Sequence, residues 1–427
     1  MNLFERWLTL WVALCIAVGI ALLERWASTD EPPGGLLLVA SPDEEQTSEG
    51  MRAIAGQLAA LTQQWEIAPI AAINVDASHD PGDGRDGQAI FLGSVGKLLA
   101  SAFVVGRETH AGAPFAGVNA AFLGAAVTQA LECNPALSDE VAGEVSPPPV
   151  CLSQRDLKDY YDVTTPTQHW SVYNILSYQR SSAAALNDFR IVVQQALDGA
   201  INTLAARAAA YTSRSGMSSG FADWRAHVLS FAELHTIALE RGGQAAHHAL
   251  EALHAALQND PTLDLPAYSL AMTRLAWQWS GLSGPAAVVG VAGVVYRGVA
   301  LDPAAPTHQR LREVAEREAA RLMHETGVAL CIRPMYPGIS DMSFLGSRES
   351  QAELALLTEN TPTWERRWRY DAAALQTLNL PMLNIGPWGR DYHQRNERLF
   401  MPYAFATLPE LLWRIATRLL QAPSLTS

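Results

Sequence analysis

The residues best able to do chemistry stand at the ends of apolar runs. In "GGLLLVASPDEEQTSEG", Leu36–Val39 leads into Asp43-Glu44-Glu45. In "IAPIAAINVD" a second apolar run ends on Asp76, and "NIGPWGRDYHQRNERL" places His393 just after a third. Adjacent carboxylates repel one another, and a bound cation is one thing that would hold them together. Glu45 and Asp76 from two neighbouring strand ends, with the His393 imidazole, make half a zinc shell. Glu44, next to a liganding glutamate, would then take a proton from an activated water. The alternative is a solvated loop entering a helix, whose N-terminus suits carboxylates.

Bringing such residues together requires strands whose C-terminal ends meet, as they do in α/β sheets. A short apolar run between Gly35 and Pro42 predicts a buried strand at 36–41. A helix follows over 48–64, with Ser48 as its N-cap. Ile67–Val75 reads as a strand, and "SHDPGDGRDG" (78–87) as a turn-rich linker and domain boundary. Strand-type runs fill 88–106 and 163–178, with a helical stretch over 117–134 between them and a loop at "EVSPPPVC". From Ser182 to Gly284 the chain is Ala-rich and helical in pattern. His247, His248 and His254 lie there on solvated faces, with no acidic cluster to make them metal ligands. Pro303–Glu325 is an amphipathic helix, Val328–Ile332 a strand, 336–346 a glycine-punctuated loop, Leu380–Ile385 a strand and Tyr403–Leu420 a helix. Strands and helices alternate at both ends of the chain and a different pattern fills the middle. That is the signature of an α/β domain carrying an insertion. The expected division is 1–87 with 300–427, and an inserted α+β domain over 88–299 enlarged by helices.

The 427 residues exceed what one ordinary core needs, which agrees with two domains. A net charge of −13 and the lack of a basic stripe argue against nucleic acid as a partner. Cys15, Cys133, Cys151 and Cys331 form no CxxC pair, and are expected to be reduced and mostly buried. Trp7–Leu23 carries no charge and is either a core helix or a membrane anchor, since Glu5/Arg6 on one side mirror Glu24/Arg25 on the other. Nothing else suggests export, so a cytoplasmic location is expected.

Taken together, "LLLVASPDEEQTSEGM", "GRETHAGAPFAGVNA" and "NIGPWGRDYHQRNERL" resemble the dinuclear-zinc metallopeptidase family of aminoacylases, carboxypeptidase G, acetylornithine deacetylase and succinyl-diaminopimelate desuccinylase. Within it the chain looks most like the arginine-utilization branch typified by RocB. "GSVGKLL", "YPGISDMSFLG", "LTENTPTW" and "MPYAF" extend the likeness. The resemblance implies a zinc-peptidase-like catalytic domain with an inserted lid that also serves dimerisation. It implies Glu44 as general base and Glu45, Asp76 and His393 as metal ligands, with Asn396 and Glu397 completing an H-x-x-N-E pattern. His110, in "THAG", would polarise the scissile carbonyl, commonly from the partner subunit. Asn119 would touch a substrate carboxylate, and Asp341 would line the pocket. Arg390 and Arg395 are expected to be solvated or structural. The implied activity is hydrolysis of an amide or peptide bond in a small, carboxylate-bearing substrate of arginine or amino-acid catabolism.

The sequence also departs from the family. An H-x-D pair and a bridging aspartate are expected upstream of the double glutamate. Here 43 residues precede Glu44, none of them histidine, and Glu5 and Glu24 are the only carboxylates in residues 1–29. The first sixteen residues resemble instead the start of an arsenite efflux permease. The expectation is a truncated or replaced N-terminus and at most one zinc where the family holds two. Two alternatives stay open: a non-catalytic pseudoenzyme or dimerising partner, and a membrane-anchored variant.

Overall fold

Two sheets organise the chain, and the longer strands belong to the one in the middle of the sequence. The computed structural model describes residues 17–30, 34–44, 47–79, 88–346, 349–392 and 394–421. A helix, α1, covers 17–27. Then come α2 (Glu49–Gln64), β1 (Ala72–Asn74), β2 (Ser78–His79), β3 (Gln88–Phe91), β4 (Gly93–Ser94), β5 (Gly96–Val105) and α3 (Ala120–Leu131). The hairpin β6 (Glu140–Val141) and β7 (Glu144–Val145) precedes β8 (Val150–Asp156), β9 (Gln168–Ser177), α4 (Ser182–Ser215), β10 (His227–Ser230), α5 (Phe231–Leu257), α6 (Leu265–Ser280) and β11 (Ala286–Tyr296). The remainder is β12 (Val299–Ala300), α7 (Pro306–Thr326), β13 (Leu330–Arg333), α8 (Gln351–Glu359), α9 (Ala372–Leu378), β14 (Met382–Asn384), β15 (Trp388–Arg390), β16 (Arg398–Leu399) and α10 (Leu408–Leu420).

The outer sheet has the order β1-β14-β3-β13 and mixes parallel and antiparallel pairs. Beside it lies a small sheet, β16-β15-β2. The middle of the chain builds a five-stranded sheet, β10-β11-β5-β9-β8, antiparallel except for β10 with β11. This is the expected α/β architecture of mixed sheets flanked by helices. Strand β3 follows the 78–87 linker yet bonds to β13 and β14, so the chain passes from one sheet to the other between β4 and β5.

Period-two alternation explains why the central strands β11, β5 and β9 are dry on both faces, while the edge strand β8 is largely exposed. Leu98, Ala100, Ala102 and Val104 of β5 point to one core with α3 and α4. Leu99, Phe103 and Val105 point to the other, shared with α5, α6 and with Met51, Phe344 and Trp368 of the outer part. The helices begin on side-chain caps. Ser181 Oγ accepts from Ala184 N, Asp264 Oδ1 accepts from Ala267 N, and Ser230 with Glu233 forms a capping box. Gly243, at φ 56°, kinks α5.

Several expectations fail for local reasons. Residues 36–41 form no strand, and Leu37, Leu38 and Val39 are exposed. A strand is held by its ladder, and no described strand pairs with this segment. Ile67–Val75 contributes only the three residues of β1. "EVSPPPVC" is not all loop: β8 starts at Val150, directly after the prolines, which are tolerated at the start of an edge strand. Cys133, Cys151 and Cys331 are free, but Cys133 is exposed and the other two are half-buried. Among the described residues no helix is long and apolar enough to cross a membrane, and residues 7–16 of the apolar stretch lie outside them.

Candidate active site

The acidic loop is wound tightly before α2. Asp43 and Ser48 both take left-handed backbone, at φ 68° and 51°, and the amides of Thr47 and Ser48 turn back onto Asp43 O at 3.3 and 2.7 Å. Asp43 Oδ2 accepts from Thr47 Oγ1 at 2.5 Å and from Glu49 N at 3.2 Å. Asp43 therefore takes the capping role expected of Ser48, whose hydroxyl makes no cap. Ser48 Oγ instead donates to the Tyr296 hydroxyl at 3.1 Å and lies 3.5 Å from Glu44 O. Glu45 lies outside the described residues.

Asp76 follows β1, where β14 runs alongside. Asn384 Oδ1 accepts from Asp76 N at 3.1 Å and from Asn74 Nδ2 at 3.3 Å, and Asn74 Nδ2 also donates to Ser340 Oγ at 2.9 Å. Gly386 makes this approach possible: a Cβ there would meet Asp76 O at 1.8 Å. The Tyr336 hydroxyl donates to Ala77 O at 2.8 Å.

Electrostatics tie these pieces together. Burial holds the Tyr336 hydroxyl well above its usual pKa, and the Asp76 and Glu44 carboxylates add to the shift. Burial also pushes Tyr296 up, with Glu44 and Asp341 contributing. Both phenols are neutral donors at physiological pH. Asp341 Oδ2 accepts from Ser41 Oγ, burial raises the Asp341 pKa, and its Oδ1 is buried without a described hydrogen-bond partner. Glu44 thus acts on both protonated tyrosines, Asp76 on Tyr336 and Asp341 on Tyr296. Sequence reasoning missed Ser41, Ser48, Tyr296, Tyr336 and Asn384. A tyrosine closing a buried apolar strand, as in "AGVVY", was the signal for Tyr296.

Glu44 and Asp76, which both act on Tyr336, have the oxygen-donor chemistry of a divalent cation site. Among the described residues no group of three or more His, Cys, Asp or Glu is arranged to hold a metal. Of the three expected ligands only Asp76 is described, since His393 also lies outside. The loop around position 393 is fixed at both flanks. The Tyr392 hydroxyl donates to Ser78 O, and Arg398 pairs with Asp391. Asn396 and Arg395 are exposed.

His110 and Asn119 belong to the other end of the five-stranded sheet. The β5–β9 ladder runs on past Val105 through Gly106 N to Thr167 O, Thr165 N to Thr109 O and Ala111 N to Val163 O. Tyr296 and Tyr336 adjoin the opposite end of β5, where Tyr296 registers with Lys97 and Val95 N donates to Tyr336 O. The ten residues of β5 span about 30 Å. The two groups therefore stand at opposite ends of a strand and do not meet within one chain. His110 is exposed, and its Nδ1 accepts from Gly112 N at 2.9 Å, which puts the proton of the neutral ring on Nε2. Asn119 caps α3 through Oδ1, with Ala121 N at 2.8 Å. Of the other histidines, His247 and His248 are exposed, while His254 Nδ1 lies 2.7 Å from the Tyr268 hydroxyl.

No family model matches the chain. Over 402 residues it is 32% identical to YqjN of Bacillus subtilis strain 168, described as an uncharacterized protein, covering 93% of this chain and 71% of YqjN. Over 412 residues it is 28% identical to protein RocB of the same organism, covering 96% of this chain and 72% of RocB. Solved structures similar to it include aminopeptidase PepT of Bacillus cereus, at 12% identity and TM-score 0.38, covering 85% of this chain and 61% of PepT. A tripeptidase of Staphylococcus aureus is also similar, at 12% identity and TM-score 0.38, covering 87% of this chain and 63% of the tripeptidase. The chain thus spans less than two thirds of either peptidase.

Proposed function

Because the chain belongs to the family of YqjN and RocB, we propose that it is a zinc-dependent cytoplasmic hydrolase of an amide or peptide bond in a small, carboxylate-bearing substrate of arginine or amino-acid catabolism. The observation that carries this reading is the convergence of the acidic loop with the strand ends: Ser41 Oγ donates to Asp341, Ser48 Oγ to the Tyr296 hydroxyl, and the Tyr336 hydroxyl to Ala77 O next to Asp76. The outer sheet is the catalytic body, and the five-stranded sheet with its helices, within 88–299, is the lid. Glu45, Asp76 and His393 would hold a zinc ion, which would supply Lewis acidity to the attacking water.

The remaining work falls to the side chains. Glu44 takes the proton of the attacking water and passes it to the leaving amine. Tyr336, kept neutral by burial, holds the Asp76 carboxylate by hydrogen bonding without adding charge, while neutral Tyr296 takes the Ser48 hydroxyl. Asp341 lines the pocket, and the Nδ2 of Asn119 meets a substrate carboxylate. His110, with its proton on Nε2, stabilises the oxyanion as it forms. Since His110 stands a strand length away from Asp76, a second copy of the chain delivers it. The segment from β5 to β11 thus serves as lid and as dimerisation domain.

An assay of the purified chain with zinc against N-acyl amino acids and dipeptides tests the reading. Turnover is expected, and Glu44→Gln lowers kcat by ~10²- to 10⁴-fold while leaving thermal unfolding unchanged. Undiminished turnover in Glu44→Gln overturns the mechanism. Metal analysis should find zinc bound, and its loss in His393→Ala checks the ligand set.

A further inference from the structure

Helix α2 begins directly after the acidic loop, and side chains of its first turns lean back over the chain that enters it. Arg52 uses that lean. Its Nε donates to Thr47 O at 2.9 Å, and its Nη1 donates to Arg369 O at 2.6 Å. Its guanidinium lies 4.1 Å from the centroid of the Trp368 ring. One planar fork thus holds the acidic loop with one arm, a distant turn with the other, and an indole with its face. Burial pulls the Arg52 pKa down, and the Asp43 and Glu49 carboxylates push it back up. The group stays charged and offsets these carboxylates.

The platform under Arg52 is fixed on several sides. Trp368 is 1% exposed, and its ring packs against Phe344 and Tyr296 with centroids 6.4 and 6.3 Å apart. Thr363 O accepts from Arg366 N, Arg367 N and Trp368 N, and Trp368 O accepts from Glu365 N. The two arginines of this turn reach across to the middle of the chain. Arg366 Nη2 donates to both oxygens of Glu251 in α5, each at 2.9 Å. Arg367 Nη1 donates to the carbonyls of Asp260 and Leu263, between α5 and α6. Tyr296 adds a further hold, since its hydroxyl accepts from Ser48 Oγ at 3.1 Å. The acidic loop is therefore held at Asp43 by the start of α2, at Thr47 by Arg52 and at Ser48 by Tyr296. Glu44 lies between the first two of these points in sequence.

We propose that Arg52 is a positioning residue: by tying Thr47 to the Trp368 turn, it sets where the Glu44 carboxylate stands. This rests on the reading of Glu44 as the base given above. A base works only within hydrogen-bond reach of the proton it takes, and a misplacement of about 1 Å can cost about 10²-fold. Lysine cannot stand in for the arginine, because one ammonium cannot reach Thr47 O and Arg369 O and stack on Trp368 at once.

Two measurements on the full chain test this. Hydrogen exchange needs neither zinc nor substrate. In Arg52→Ala the Thr47, Ser48 and Glu49 amides should exchange at least about tenfold faster, with the second half of α2 unchanged. With zinc and an N-acyl amino acid, kcat should fall about 10²-fold while KM stays within about twofold. Added methylguanidinium should restore both, which it cannot do for a misfolded variant. Arg52→Lys, which keeps the charge and the stem, should shift both in the same direction by less. Wild-type exchange in Arg52→Ala overturns the hold on the loop, and wild-type behaviour in Arg52→Lys overturns the role of the fork. Faster exchange with unchanged kcat overturns positioning. A wild-type chain that never turns over with zinc overturns the hydrolase reading instead, and the exchange rates still decide whether Arg52 holds the loop.

Discussion

In the five-stranded sheet β5 runs ten residues and β11 eleven, and every residue of β11 is buried. In the outer sheet no strand exceeds four residues. Most non-glycine residues with positive φ, among them Asp43, Ser48, Glu365, Asn379 and Asp391, belong to the outer part. The contrast shows where each part keeps its specificity. The middle of the chain is held by repetitive burial that many sequences could satisfy. The outer part is held by single contacts between named groups, such as Asn384 Oδ1 on Asp76 N, and that is where the carboxylates gather.

Substitutions sharpen this contrast. The largest stability effect is expected in the regular body: Phe103→Ala, at a fully buried ring, should cost about 3–5 kcal/mol in chemical denaturation. Should Phe103→Ala cost under 1 kcal/mol, the claim that repetitive burial holds this body fails. Next come two matched glycine changes. Gly386→Ala drives a methyl into the Asp76 backbone and should destabilise by about 1–3 kcal/mol, with loss of any activity. Gly199→Ala, in the middle of α4 with nothing within 4 Å, should stabilise by about 0.5–1 kcal/mol. Equal signs for the two would erase the distinction. Smaller again is Asp43→Ala, which removes the α2 cap and should cost about 1 kcal/mol.

Acid should act first on the regular body. Burial lowers the pKa of His169, His235 and His254, all within it, so the folded chain binds fewer protons there than the unfolded one. The stability these rings allow is complete above their usual 6.5 and falls as pH drops through their lowered values. Tm should be lower at pH 5 than at pH 7, and His169→Gln should flatten the difference.

How much was legible followed the same divide. Helices with apolar periodicity and capping residues were readable, as were β5, β9 and the alternation around them. The strand at 36–41 was not, because an apolar run states a preference and a ladder partner decides. Asp43 took the capping role expected of Ser48 because left-handed backbone at both, absent from any propensity, turns the loop so that Asp43 faces the first amide of α2. Buried cysteines were expected from residue type, yet Cys133 follows α3 in left-handed backbone, where the chain turns outward. For the carboxylates, the sequence pointed to Glu44 and Asp76 through their places after apolar runs. The tyrosines that bind their environment together come from β11 and the loop after β13, far along the chain, and only the folded chain assembles them.

The β5–β9 ladder has a further consequence. It acts as a ruler between His110 and Asp76, and its graduations are discrete. Removing one residue from each strand would turn every side chain to the opposite face and destroy both cores. Removing two preserves the faces and shortens the span by roughly 7 Å. Relatives that differ in the reach of this five-stranded body should therefore differ by even numbers of residues in these strands, with their loops free to vary by any number.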